Sequence, residues 1–168
     1  LCLDWNSDLP YVDLDKPWWD QDARESFEIN GKLYPMVGDI SYQALAQTDC
    51  MMFNKAIFDE YGEEYPYQKV LDGEWTFDEF SRLVKLCSED VNGDGLYEPD
   101  KDVFGYVTYQ WVGPIQAITT GGGRIVNKGE DGSLELTLNT ERNIEIFEDY
   151  FNLLDTNNCY LELNRDDG

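Results

Sequence analysis

The sequence predicts a mixed α/β chain, rich in helix, with short strands and hairpins, and three patterns carry that expectation. Phe77, Phe80, Leu83, Val84 and Cys87 form an apolar stripe at helical spacing, behind a Thr76-x-x-Glu79 capping box. Leu134, Leu136 and Leu138 alternate with Glu135 and Thr137, which is the period of a strand. Ile144, Phe147, Phe151 and Leu154 recur at three and four, which argues an amphipathic helix of about four turns.

In chain order, residues 1–25 contain Pro10 and Pro17 and no clear period, so they read as an irregular or crossing segment. Phe27–Met36 pairs two short alternating runs around Asn30-Gly31, the residues best suited to the positive φ of a two-residue hairpin turn. Tyr42–Thr48 is ambiguous, and Asp49–Phe53 reads as a buried strand. Asn54 is a good N-cap for a short helix that runs to Tyr61 and stops at Gly62. Trp75 is expected to pack as a staple beside the Thr76 cap. Gly121–Arg124 lacks the lysine of a phosphate loop and leads into a strand, so it reads as a helix terminator. Arg124–Val126 and Leu134–Leu138 are predicted strands joined by a Gly-rich loop, and Asn139 caps the final helix. There is no internal repeat and no low-complexity linker.

The charge balance removes several function classes. Thirty-five acidic against 12 basic side chains give a formal charge of −23 over 168 residues, which repels phosphate backbones and anionic lipid heads. Nucleic acid is therefore not an expected partner. The chain has no histidine, which closes Ser-His-Asp, Cys-His and zinc-imidazole chemistry and leaves carboxylates for acid–base work or for hard cations. Most of the acidity reads as a solvated surface. Cys2, Cys50, Cys87 and Cys159 contain no C-x-x-C. Their number is compatible with two disulfides, but mostly free thiols are expected: Cys87 lies on an apolar helix face and Cys50 precedes Met51, Met52 and Phe53, where a small buried hydrophobe fits. No stretch approaches the roughly 18–20 apolar residues of a membrane span. Leu1 falls inside what reads as a structured segment and Gly168 follows closely on a long helix, so further chain is expected on both sides.

Two motifs point to binding chemistry. Asp90–Asp102 reads DVNGDGLYEPDKD and sets Asp90, Asn92 and Asp94 at alternate positions before Gly95, the opening of a calcium loop. The Leu96 carbonyl would follow as a backbone ligand. The twelfth position, normally a bidentate acid, is Lys101, so Asp100 or Asp102 must close the shell and an ordinary EF-hand is not expected. A structural Ca²⁺ that staples the loop is the expectation, with an acidic turn as the alternative, and no organic cofactor is expected. The other motif is aromatic. YVTYQW places Tyr109 and Trp111 two apart, on one side of an extended segment, with Gln110 directed away. Exposed Trp and Tyr faces beside carboxylates and amides suit the flat C–H face and hydroxyl rim of a sugar. Trp18 and Trp19, in DKPWWDQD, have the same character. Core packing is the alternative for all of them. Acid pairs such as Asp13 and Asp15 carry little information among so many acids.

Met51–Lys85, with its MMFNKAIFDEYGEEYP and VLDGEWTFDEFSRLVK runs, resembles the family 1 extracellular solute-binding proteins of sugar ABC transporters. Those proteins show a strand ending in Tyr-Asn-Lys, a short helix, a glycine, a proline and a Trp-Thr helix cap; here Phe53 replaces the tyrosine. Gly31–Asp39 is similar to the family's entry into its second lobe, and the Gly121 turn with the Asn139 helix to its later hairpin and helix.

The resemblance implies part of a type II periplasmic-binding-protein fold: residues 1–24 end the N-terminal lobe, 25–40 form a hinge-crossing hairpin and 41–168 belong to the C-terminal lobe. It implies a non-catalytic receptor for a sugar or oligosaccharide, served by ABC permease subunits. The ligand would bind Asp39, Tyr109 and Trp111, with Tyr42, Trp18 and Trp19 secondary. The implied location is extracellular, as a bacterial cell-surface lipoprotein, Gram-positive by preference, or periplasmic, with membrane contact only through a lipid anchor outside this stretch. The rival readings are a glycan-active enzyme using a carboxylate pair and a calcium-stabilised cell-surface interaction module.

Overall fold

The computed structural model describes residues 2–156 and 158–162, so the expectations at Leu1 and Gly168 lie outside it. Among the described residues the chain is mixed α/β, with seven helices and four short strands in two small sheets. It divides into two compact units. The first takes the chain up to Met52 together with Val126–Leu136, and the second takes Phe53–Ile125 and the chain from Thr137 onward.

The first unit corrects the irregular reading of residues 1–25. Helix α1 (Gln21–Phe27) starts at Asp20, whose carboxylate accepts a hydrogen bond from the Ala23 N–H at 2.9 Å. It buries no residue, so it left no apolar period to read. The Asn30-Gly31 turn forms as expected, with φ of 52° and 74°. Ile29 and Lys32 exchange both backbone hydrogen bonds at 3.0 Å, but pairing ends there, so the predicted hairpin is reduced to its turn. Helix α2 (Tyr42–Ala46) resolves the ambiguous stretch. The predicted strand over Asp49–Phe53 is not formed: the stretch has no ladder partner, and Cys50, Met51 and Met52 are exposed. An apolar run makes a strand only where another backbone meets its donors and acceptors. Strands β1 (Val126–Lys128) and β2 (Leu134–Leu136) pair antiparallel, with Val126 opposite Leu136. The first of them begins where the sequence reading had placed a strand's end, and the leucines of the second are exposed.

Little apolar material holds this unit together. Leu33 is fully buried and Leu14 nearly so. Trp5 meets Trp19 edge to face at 5.4 Å. Each indole N–H is satisfied, Trp5 by the Tyr34 carbonyl and Trp19 by the Asp13 carbonyl, both at 3.0 Å. Asp4 accepts the Leu33 N–H at 3.0 Å, and that bond holds its carboxyl below the usual carboxylate range.

The second unit follows the sequence reading more closely. Helix α3 (Lys55–Tyr61) is capped by Asn54, whose Oδ1 accepts the Ala56 N–H, and ends at left-handed Gly62. After α4 (Tyr67–Leu71) comes α5 (Phe77–Leu86), where Thr76 Oγ1 accepts the Glu79 N–H at 3.3 Å. Trp75 packs on Phe80 with ring centroids 6.2 Å apart, the expected staple. Glu79 does not complete the box; it pairs with Lys69 and Arg82, and Arg82 forks onto Glu63 at 2.8 and 2.9 Å. Leu83, Val84 and Cys87 are buried from the predicted stripe, and burial pushes the thiols of Cys87 and Cys159 up. All four cysteines are free.

Strand β3 (Tyr106–Tyr109) pairs in parallel with β4 (Cys159–Glu162), with Tyr106 opposite Cys159. Parallel partners need a long crossover, here carrying α6 (Val112–Thr120) and α7 (Glu141–Leu154). The glycine run ends α6 as expected: Gly121 is its C-cap and the Gly123 N–H returns to the Ile118 carbonyl at 2.8 Å. The last helix requires two corrections. Its N-cap is Thr140 in place of Asn139. Its buried face is Asn143, Ile146, Tyr150 and Leu153, one residue out of step with the predicted Ile144, Phe147, Phe151 and Leu154. The side chain of Asn143 decides between the two stripes, because its Nδ2 lies within hydrogen-bond distance of the Arg124, Thr137 and Leu138 carbonyls at 2.8, 2.9 and 3.2 Å. Tyr150 reinforces that choice by packing over Gly113, where any Cβ would overlap its hydroxyl.

Candidate functional site

The residues proposed from the sequence as ligand contacts fall in both units. Trp18, Trp19, Asp39 and Tyr42 belong to the first, and Tyr109 and Trp111 to the second.

In the first unit the chain folds back on itself so that Trp19 and Gly38 form an antiparallel bridge. The Asp39 N–H donates to the Trp18 carbonyl at 2.8 Å, and the Asp20 N–H to the Val37 carbonyl at 2.9 Å. Trp18, Trp19 and Asp39 thereby line one open cleft of about 360 Å³ together with Pro17, Asp20, Val37, Gly38, Ala44 and Leu45. Trp18 is 45% exposed, leaving ring surface free, whereas Trp19 is committed through its indole N–H and its packing on Trp5. Gly38 is required by the close approach, since a Cβ there would strike the Trp18 carbonyl. Tyr42 stands on the first turn of α2, 83% exposed, and is not among the lining residues. Leu45 and Ala44 escaped the sequence reading because the helix that presents them was ambiguous. The cleft offers an indole face, a carboxylate and apolar wall, a combination that suits a ligand with both C–H and hydroxyl surface.

In the second unit Tyr109 ends β3 and Trp111 is the N-cap of α6, at φ −102° and ψ −24°. The expected extended geometry that would align the two rings does not continue through Trp111, because the chain has already turned into the helix. Both rings are nevertheless exposed, at 49% and 61%.

The Asp90–Asp102 loop is closed at its base by a bridge between Glu89 and Val103. Asp90 accepts the N–H of Gly93 through Oδ1 at 2.7 Å and that of Gly95 through Oδ2 at 2.8 Å. Asn92 Oδ1 accepts the Asp94 N–H and Asp94 Oδ1 the Leu96 N–H. Asp102 reaches back across the loop to accept the N–H groups of Val91 and Glu98, at 3.0 and 2.8 Å. Lys101 turns to Glu98. Among the described residues no three Asp, Glu or Cys side chains gather as a metal cluster; Asp90, Asn92, Asp94 and Asp102 each accept main-chain N–H groups.

Asp13 and Asp15, the sampled acid pair, are each held by a cation: Lys16 at 3.0 Å and Arg24 at 2.7 Å. The Lys16 bond lowers the Asp13 carboxyl, the opposite of what a general acid requires. No helix among the described residues is long and apolar enough to cross a membrane.

Comparison of the chain with protein-family models, with curated proteins and with solved structures finds no match.

Proposed function

We propose that this chain is part of an extracellular binding protein that captures a sugar or oligosaccharide for an ABC importer and performs no catalysis. The observation that carries the reading is the cleft in the first unit, which gathers Trp18, Trp19 and Asp39 around one opening. An indole face stacks on the C–H face of a pyranose while a carboxylate accepts its hydroxyls, and neither interaction requires a bond to break. Tyr109 and Trp111 supply a second pair of exposed rings for the same class of ligand. In the solute-binding family the ligand is held between lobes whose closure reports occupancy to the permease, a population shift driven by the bound sugar. The extracellular or periplasmic location belongs to this reading.

A calorimetric screen of mono- and oligosaccharides tests it. At least one sugar should bind, and Trp18→Ala and Asp39→Asn should each weaken that sugar about tenfold, a usual loss for a stacking or charged contact. Turnover of a chromogenic glycoside, lost on removing two specific acids, would replace the reading with a glycan-active enzyme.

The same reading makes Asp90–Asp102 a calcium staple. Asp90, Asn92 and Asp94 side chains, the Leu96 carbonyl and a carboxylate from Asp102 or Asp100 would supply the oxygens. Its support is that Asp102, one residue past the twelfth position of an ideal EF-hand loop, folds back over the loop backbone. Adding EGTA should lower the melting temperature if the ion is structural, and an unchanged melt would remove it from the account.

A further inference from the structure

Burial of Asn143, Ile146, Tyr150 and Leu153 leaves the neighbouring apolar stripe of α7 on the outside. Ile144 is 42% exposed and Phe151 51%, with Phe147 and Leu154 half-buried between them and the protein body. The spacing of three, four and three places Ile144 and Phe151 at a and Phe147 and Leu154 at d of a heptad, the seam a partner helix occupies. The rings of Phe147 and Phe151 are already stacked, with centroids 6.0 Å apart and planes at 25°. The stripe is therefore ordered before any partner arrives, which lowers the entropy lost on docking.

Charge states what that partner must look like. In the same frame Glu141, Glu148 and Asp155 all fall at e, so an acidic row runs along the solvent edge of the seam. None of the three is in an ion pair among the described residues, whereas Arg142 is taken up by Glu145 on the far side. A second copy of this chain would bring the same acids to the same edge, on a molecule of formal charge −23. Anionic lipid is repelled for the same reason. We propose that the outer face of α7 docks a helix that carries an apolar seam bordered by a row of lysine or arginine.

The test uses a fluorescent three-heptad peptide with leucine at a and d and lysine at e and g, titrated into the chain by anisotropy. A peptide of identical composition in shuffled order measures attraction to net charge alone. The ordered peptide should bind at least about tenfold more tightly than the shuffled one, and Phe151→Ser should remove about that factor, as expected for a central apolar anchor. Phe151 is exposed, so far-UV circular dichroism and the melting temperature should not move. Glu148→Lys should weaken the lysine peptide and favour a version with glutamate in place of lysine, a swap that general stickiness does not produce. Equal binding of ordered and shuffled peptides, or an unaltered Kd for Phe151→Ser, overturns the proposal. So does a concentration-dependent dimer in sedimentation that Phe151→Ser dissolves, because the occupant would then be a second copy.

Discussion

Among the described residues, Phe58, Leu83, Val84, Cys87, Ile118, Ile146, Tyr150 and Leu153 are buried in the second unit, from four helices and the turn that follows one of them, whereas in the first unit the buried apolar side chains are Leu14 and Leu33. The first unit relies instead on hydrogen bonds that tie loops together: Asp4 to Leu33, Trp5 to Tyr34, Trp19 to Asp13 and Asp39 to Trp18. Each such bond contributes a net of only about 0.5–1.5 kcal/mol, because water replaces most of its gross strength in the open state. The second unit gains from area removed from water, which no exposed loop replaces. A unit held by loops opens at lower free energy than one held by a core, and the candidate cleft lies in the former.

The contrast is open to attack from either side. Gly113→Ala should have the largest effect, about 3 kcal/mol, because its Cβ overlaps the buried Tyr150 hydroxyl and the packed helices have no room to give. Urea unfolding followed by hydrogen exchange should show the loss in peptides of α6 and α7, with those of α1 and the Asn30-Gly31 turn unchanged. Leu33→Ala should cost about 2.5 kcal/mol and act in reverse, releasing the segment from Asp4 to Leu33 while the α5 amides stay protected. Equal losses in both sets of peptides would show that the two units unfold as one and would end the comparison.

Smaller effects sharpen it. Thr76→Ala removes the α5 cap and should cost about 1 kcal/mol, read as faster exchange at the Glu79 amide. The network of Lys69, Glu79, Arg82 and Glu63 gives the smallest effect and a direction in pH. Its two cations hold the Glu79 carboxyl at about 2, below an ordinary 4.5. A carboxyl depressed by folding stabilises fully above its unfolded value and loses that contribution as pH falls from about 4.5 towards about 2. Arg82 is 45% exposed, so solvent screening limits the loss to about 1 kcal/mol or less. Glu79→Gln should flatten the acid limb of a stability–pH curve for the second unit, and an unchanged limb would show that the network adds nothing.

The candidate site was partly legible. Trp18, Trp19 and Asp39 were singled out from residue type and from the family resemblance, and the fold collects them on one cleft. Leu45 and Ala44 were not, because a helix of five residues has too few positions to display a period. Alternation aligns Tyr109 and Trp111 only along an extended chain, and Trp111 already stands in helical geometry as the N-cap of α6.

Local chemistry sufficed wherever an element's boundaries depend on neighbours in sequence. The Asn54 and Thr76 caps, the Trp75 staple, the Asn30-Gly31 turn and the glycine stop after α6 all act over five residues or fewer, so they were readable in the string. Tertiary structure alone decided which of two adjacent stripes on α7 is buried, since both have helical spacing and hydropathy favours Ile144, Phe147, Phe151 and Leu154, the stripe left outside. The deciding partners are the Arg124, Thr137 and Leu138 carbonyls and the space above Gly113, all supplied by other parts of the fold. The same is true of the parallel pairing of β3 with β4 and of the absent strand at Asp49–Phe53. A backbone becomes a strand only when another backbone satisfies it, and no local pattern states where that partner will be.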